Sequence, residues 1–160
     1  MQNPIGRWIA PLYRYRKSFM AKRLEPYGAA SRLFMMLLEI SRNDGMNQEQ
    51  ISGCLKIDKA TTAKALSRLE SEGYIRRETD PDDRRINRVF VTEKSPPAVA
   101  AIENALAEWD RLIRADVSAQ EYQAAEAVLH KMAASACKCP DIWNENNFAA
   151  GTSSRSSAEK

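Results

Sequence analysis

Asn47-Gln-Glu-Gln-Ile-Ser-Gly-Cys-Leu-Lys-Ile-Asp58, Lys59-Ala-Thr-Thr-Ala-Lys-Ala-Leu-Ser-Arg-Leu-Glu-Ser-Glu-Gly73, Tyr74-Ile-Arg-Arg-Glu-Thr79, Asp80-Pro-Asp-Asp-Arg-Arg-Ile-Asn87 and Arg88-Val-Phe-Val-Thr92 follow one another along the chain. The first two segments read as helices in tandem. Asn47 stands at an N-cap with Gln50 three positions on, a capping-box pattern, and Met46 and Ile51 occupy the positions of a hydrophobic staple. Asp58 is the N-cap of the second helix, Lys59 to Glu72. Thr62, Leu66, Leu69 and Gly73 line one side of that helix, while Thr61, Lys64 and Arg68 form a polar stripe at i, i+3, i+7. Two short helices joined by a tight turn make a helix-turn-helix. The last three segments read as two strands, Tyr74–Thr79 and Arg88–Thr92, around an Asp/Pro/Asn turn. Val89 and Val91 point to one side of that hairpin; Arg88, Phe90 and Thr92 point to the other.

Working outward, Ile5, Trp8, Ile9, Leu12, Tyr15 and Phe19 recur at helical spacing and predict an amphipathic helix over residues 4–24. Pro11 removes a backbone bond inside it, so the helix is expected to start effectively near Pro11. Residues 30–42 are apolar on more than one face and predict a single central helix, closed by Asn43-Asp44-Gly45. Beyond the hairpin, Pro96 and Pro97 fit only the first turn of a helix or the residues before it. Val99, Ile102, Leu106, Trp109, Leu112 and Ile113 carry that helix over 97–115. Ser118-Ala-Gln-Glu121 is a second capping box, opening a helix over 118–137. The composition then turns to Asn, Ser, Gly and Glu, which predicts a flexible tail over 140–160 that carries the aromatic residues Trp143 and Phe148.

The chain of 160 residues is long enough for one domain with a core and a dimer interface. Its net charge of +3 does not by itself select a polyanionic partner, so the placement of cations must. Six Lys/Arg against one acid fall in residues 1–25, and nine Lys/Arg against seven Asp/Glu between Lys59 and Lys94. No apolar run reaches the roughly 18–20 residues of a membrane span, and Arg7 and Arg14 interrupt any signal-peptide core, so a cytoplasmic protein without membrane partners is expected. The three cysteines, Cys54, Cys137 and Cys139, and the single His130 lack zinc-site spacing, and no metal or cofactor is expected. Paired catalytic carboxylates and a phosphate-cradling glycine loop are absent from the pattern, so no enzyme is expected.

Asp83-Arg84-Arg85 followed by Val89-Phe-Val-Thr-Glu-Lys94 resembles the wing of the multiple-antibiotic-resistance regulator (MarR) family, Asp-x-Arg and then an apolar strand ending in Leu-Thr-x-x-Gly. The resemblance runs back through Leu69-Glu-Ser-Glu-Gly73-Tyr-Ile-Arg-Arg, Ile57-Asp-Lys-Ala-Thr and Asn47-Gln-Glu-Gln-Ile-Ser, and with the flanking helices covers about residues 5–137. Lys56 replaces a glycine frequent in the family, Val91 a leucine and Ser95 a glycine. The resemblance implies a mainly α winged helix-turn-helix with a β-hairpin wing. It also implies one domain over 1–139, its reading module at 29–95 and its dimerisation helices at 1–28 and 96–139.

It further implies a sequence-specific transcriptional regulator, a homodimeric repressor that binds double-stranded DNA at a palindromic operator and is released by a small phenolic or lipophilic ligand. The helix from Lys59 would enter the major groove, whose donor and acceptor pattern distinguishes the base pairs. Lys59, Thr61, Thr62, Lys64 and Arg68 are the candidate contacts, with Thr61 and Lys64 as base readers and Arg68 on a phosphate. Arg85 would reach a narrow minor groove, oriented by Asp83, with Arg84 and Arg88 on the backbone. Trp8, Leu12, Tyr13, Arg16, Phe34 and Met35 are candidate effector-lining residues, with core packing as their alternative role. Two rival functions stand beside this reading. One is a thiol-based redox-sensing regulator using Cys137-Lys-Cys139; the other is a winged-helix protein-interaction module that does not bind DNA.

Overall fold

The computed structural model describes residues 5–136 and Lys138. Cys137, Cys139, Trp143, Phe148 and the expected tail lie outside the described residues. Contacts divide the chain after Leu112 into two compact units.

Helix α1 spans Gly6–Arg23 and passes through Pro11 without interruption, so the expected start near Pro11 is corrected. Pro11 lies in the second turn, where it deletes one ladder bond while its fixed φ suits a helix, and Trp8 and Ile9 both donate to the Ile5 carbonyl at 3.0 and 3.1 Å. A 3-10 turn over Glu25–Tyr27 leads to Gly28 at φ 53, ψ −116. The positive φ calls for glycine there, whereas the atom a side chain would meet first, at 2.6 Å, is the movable end of Glu72.

The single helix expected over residues 30–42 is two, α2 (Ala29–Arg32) and α3 (Phe34–Arg42), separated at Leu33 with φ −112, ψ 22. Ala30 on one side of the break and Met36, Leu37, Leu38 and Ile40 on the other are all buried. An apolar run interior on both sides therefore carries no mark of one non-helical residue.

Strand β1 (Met46–Asn47) and helix α4 (Gln48–Leu55) come next. The capping box forms as expected: Gln50 N–H donates to the Asn47 side chain at 2.9 Å, and Asn47 N–H donates to Gln50 Oε1 at 2.9 Å. Such a cap contributes about 1 kcal/mol. Lys56 ends α4 in the left-handed conformation, φ 54, ψ 48, so the turn keeps its glycine geometry with a lysine in it.

Helix α5 (Lys59–Ser71) leads into β2 (Ile75–Thr79) and β3 (Asn87–Val91), antiparallel with Ile75 opposite Val91 and Thr79 opposite Asn87. Sequence reading missed β1, which pairs Met46 with Val89 and Asn47 with Arg88 and makes the sheet order β1-β3-β2. A two-residue strand has no periodicity to detect.

Helix α6 (Ser95–Ile113) starts two residues before the expected 97, with Pro96 and Pro97 in its first turn, and turns Ala98, Ile102, Ala105 and Trp109 inward. Phe19 of α1 meets Trp109 with ring centroids 5.5 Å apart, and Arg23 pairs with Glu108. The core runs through Met20, Leu37, Ile40, Ile51, Leu66, Leu69, Ile75, Val89 and Ile102, and most of the helix-turn-helix phase is set by these apolar contacts. In the second unit, α7 (Ala119–Ala136) is opened by the expected box, with Ser118 N–H donating to Glu121 Oε2 at 2.9 Å and Glu121 N–H to Ser118 Oγ at 3.3 Å. It buries none of its residues.

Candidate nucleic-acid interface

Helix α5 is anchored before it is exposed. Asp58 accepts from Thr61 N–H at 2.8 Å, and Leu66 and Leu69 are fully buried. Thr62 is 0% exposed; its hydroxyl donates to the Asp58 carbonyl at 2.9 Å and accepts from Ser52 Oγ of α4 at 2.9 Å. Thr62 is therefore removed from the candidate base contacts, because its hydroxyl is spent holding α4 to α5. The sign was present in the sequence: Thr62 shares the helical phase of Leu66 and Leu69. Gln48 Nε2 adds a bond to the Lys59 carbonyl at 3.3 Å.

Lys59, Thr61, Lys64 and Arg68 all lie exposed on α5. Lys59 Nζ pairs with Glu49 of α4 at 3.0 Å, and Arg68 with Glu72 one turn on at 2.7 Å. Lys64, between them, has no ion-pair partner among the described residues.

The wing is built around a carboxylate that sequence reading did not single out. Asp80 is 4% exposed. Its Oδ1 accepts the N–H groups of Asp82 and Asp83 at 2.8 and 3.1 Å, and its Oδ2 pairs with Arg88 Nε. Backbone donors of Asp82 and Asp83, with Arg88 added, hold the Asp80 carboxyl below the usual carboxylate range against the opposing effect of burial. Arg88 Nη1 continues to the Gly45 carbonyl at 3.2 Å, on the turn before β1. Arg88 thus ties the wing to that turn, with its side chain still 46% exposed. The signal available was the Asp-Pro-Asp run, in which the first aspartate can fold back on amides two and three residues on.

At the tip, Arg85 has a side chain 90% exposed, yet held in two bonds by Asp83: Nε to Oδ1 at 3.0 Å and Nη2 to Oδ2 at 2.9 Å. Asp83 Oδ1 also accepts Arg85 N–H at 3.0 Å. The Arg85 bonds lower the Asp83 pKa, and the Asp83 bond raises that of Arg85. Arg84 is exposed beside them. Behind the hairpin, Arg77 reaches Glu70 at 3.3 Å and Ser67 at 3.3 Å, bracing β2 on α5.

None of the six candidate effector residues lines the crevice between the α1–α2 region and α5. Trp8 and Tyr13 are 68% and 63% exposed, and Leu12 and Met35 are also exposed. Arg16 lies 5.7 Å over the Phe34 ring. Core packing within the chain fails for Trp8, Leu12, Tyr13 and Met35; helical spacing identifies a face without saying what covers it. The crevice between the α1–α2 region and α5 has a volume of about 690 Å³. Ala21, Leu33 and Ala65 supply apolar wall, and Arg32, Lys64 and Arg68 supply cations.

Cys54 is exposed, and its thiol donates to Glu39 Oε1 at 3.1 Å, where Asn43 Nδ2 also donates at 2.8 Å. The bond to Glu39, then burial and the Glu39 charge, raise the thiol pKa against an opposing Lys56. A thiol held protonated is a poor nucleophile. His130 is an exposed residue of α7.

A capped helix presenting Thr61, Lys64 and Arg68, beside a hairpin tip presenting Arg84 and Arg85, is chemically suited to a polyanion with readable edges. The MarR family profile matches residues 31–86, the helix-turn-helix and most of the wing. The HTH-type transcriptional regulator BilQ of Clostridioides difficile (strain CD3) is 32% identical over 122 residues, 76% of this chain and 82% of that protein. A MarR transcriptional regulator from Methanosarcina mazei Go1 superposes with a TM-score of 0.76 at 37% identity, covering 86% of this chain and 99% of its own. A Listeria monocytogenes protein solved in complex with 26mer DNA superposes at 0.80 with 23% identity, covering 98% and 99%. With its capped helix-turn-helix, its wing and these relatives, the chain belongs to the MarR family of transcriptional regulators.

Proposed function

We propose that the protein is a cytoplasmic homodimer that binds a palindromic DNA operator, represses transcription there, and lets go when a small phenolic or lipophilic anion binds. The observation that carries this reading is the pairing of an anchored, solvent-facing α5 stripe with an outreaching Arg85 on a wing braced by Asp80. Thr61 and Lys64 read base edges in the major groove, Lys59, Arg68 and Arg84 take phosphates, and Arg85, oriented by Asp83, enters the minor groove. The Listeria protein of the same fold, solved with 26mer DNA, supports DNA as the partner.

Dimerisation is supported by what one chain leaves bare. Ile5, Trp8, Ile9, Leu12 and Tyr15 on and before α1, Leu112 on α6, and Val128, Leu129 and Met132 on α7 are all exposed. Each unit by itself thus has exposed apolar residues to offer a partner chain, and a paired module reads half-sites about one helical turn apart. The regions 1–28 and 96–139 are assigned to that interface. The crevice with Arg32, Lys64 and Arg68 in its wall fits an aromatic carboxylate, with the cations on the charge and Leu33 and Ala65 against the ring.

Selection of bound fragments from genomic DNA with the purified full chain, followed by gel shift and sedimentation, tests the reading. A dimer retained on a palindromic duplex and released by aromatic carboxylates is the expected result. Failure to retain any duplex would favour the protein-association alternative. Cys54, held protonated by Glu39, lends no support to a thiol switch.

A further inference from the structure

The solvent-facing stripe of α5 is also the wall of a cavity. Thr61, Lys64 and Arg68, at i, i+3 and i+7, all line the crevice of about 690 Å³, and Arg32 of α2 lines it with them. Arg68 is shared with Glu72 at 2.7 Å. Arg32 and Lys64 are both exposed, and neither has an ion-pair partner among the described residues. Against these three cations the lining carries the carboxylate of Glu25, so the crevice keeps an excess of positive charge. The rest of α5 is committed: Thr62, Leu66 and Leu69 are buried, with Thr62 bonded to Ser52 of α4. The helix therefore cannot turn a second polar stripe outward when the first is covered.

We propose that a crevice anion and DNA compete directly for this stripe, with Lys64 as the cation they share and Arg32 as a cation that serves the anion alone. The inference rests on the DNA-binding and crevice-ligand readings above, and concerns how the one displaces the other. Its physical basis is charge and space. A lysine ammonium that neutralises a carboxylate in the crevice is not available to a base edge, and the bound anion sets a like charge in the path of the phosphates. Release then needs no change in the spacing of two paired modules. A conformational shift works differently: ligand and DNA occupy separate sites, their coupling is finite, and both can be bound at once.

The test uses the full-length protein, its selected operator duplex, and 2-naphthoate as the crevice probe, with uncharged 2-naphthamide as the control. Equilibrium dialysis measures the probe held by the free protein and by protein saturated with operator. The expected result is naphthoate bound to the free protein more tightly than the amide, and none held by the operator complex. Conversely, the apparent operator dissociation constant should rise at least in proportion to naphthoate, about a hundredfold at one hundred times the probe's own dissociation constant. Arg32→Gln should weaken naphthoate up to about fivefold and leave operator affinity unmoved, whereas Lys64→Gln should weaken both. Both side chains are exposed, and unchanged circular dichroism checks that the variants fold. Three results would each overturn the inference while leaving both readings beneath it standing: naphthoate held by the operator complex, operator affinity that levels off at high naphthoate, or a Lys64→Gln variant impaired for operator alone. A wild type that binds no duplex removes the DNA-binding reading, and one that binds duplex but no naphthoate removes the crevice ligand; the inference falls with either.

Discussion

Helix α5 and the wing both present arginines to solvent, but they are held in place by opposite means. The helix is fixed by apolar burial, with Leu66 and Leu69 at full burial and Thr62 bonded between α4 and α5. The wing is anchored in the core only at its base, by Ile75 and Val89; between Asp80 and Arg88 its shape depends on one buried carboxylate gathering two amides and a guanidinium. Non-directional packing and directional bonding fail differently. Loss of a core side chain leaves a cavity that lowers the stability of the whole domain, whereas loss of the Asp80 bonds frees a local loop while the core stays closed.

The sharpest way to expose that contrast is to damage each region in turn. Leu66→Ala is expected to destabilise the fold by about 2–5 kcal/mol, read as a large drop in melting temperature with DNA binding lost alongside it. Asp80→Ala should separate the two properties. Operator affinity falls by about tenfold or more, the affinity equivalent of one lost charged contact, while the main melting transition moves far less than in Leu66→Ala. Equal loss of stability in the two variants would show that the wing belongs to the core after all.

The same contrast has a pH signature. The folded-state pKa values of Asp80 and Asp83 are depressed. Their contribution is therefore fully present above the ordinary carboxylate pKa of about 3.9 and lost as pH falls below it through the folded values. Amide exchange in the wing should accelerate in that acid window before the α5 amides do, and an Asp80→Asn variant should lose most of the difference.

Smaller effects refine the picture. Arg85→Ala should weaken operator binding by about 1–3 kcal/mol with stability unchanged within about 0.5 kcal/mol, since the side chain is 90% exposed; an unchanged gel-shift titration would remove Arg85 from the interface. Lys64→Ala should alter base preference, and a uniform loss across sequences would mark it as a phosphate contact. The smallest change is Lys56→Gly. Relieving a left-handed lysine at φ 54 should raise stability by about 0.5–1 kcal/mol after the added chain entropy of glycine, seen as a higher denaturant midpoint with DNA affinity unaltered.

Local chemistry accounts for what could be read in advance. The capping boxes at Asn47 and Ser118, the cap at Asp58, the phase of Leu66 and Leu69, and the Asp/Pro/Asn turn of the hairpin all act within a few residues, so the order of elements and the exposed positions of Thr61, Lys64, Arg68 and Arg85 were legible in the chain. Features that depend on distant partners were not. Strand β1 exists only because Val89 and Arg88 lie beside it. Leu33 interrupts a run whose hydrophobicity is continuous. Trp8 and Tyr13 sit on an apolar face that none of the described residues covers.

The division is clearest at the site. Sequence alone determined the reading module and most of its solvent-facing cations, because helical period and capping are set by near neighbours. Tertiary structure alone decided which polar residues are already spent: Thr62 on Ser52, Arg88 on Asp80 and Gly45, Lys59 on Glu49. A hydrogen bond or ion pair is satisfied by whatever atom the fold brings within about 3 Å, and for Thr62, Arg88 and Lys59 those atoms come from elements 8 to 43 residues away.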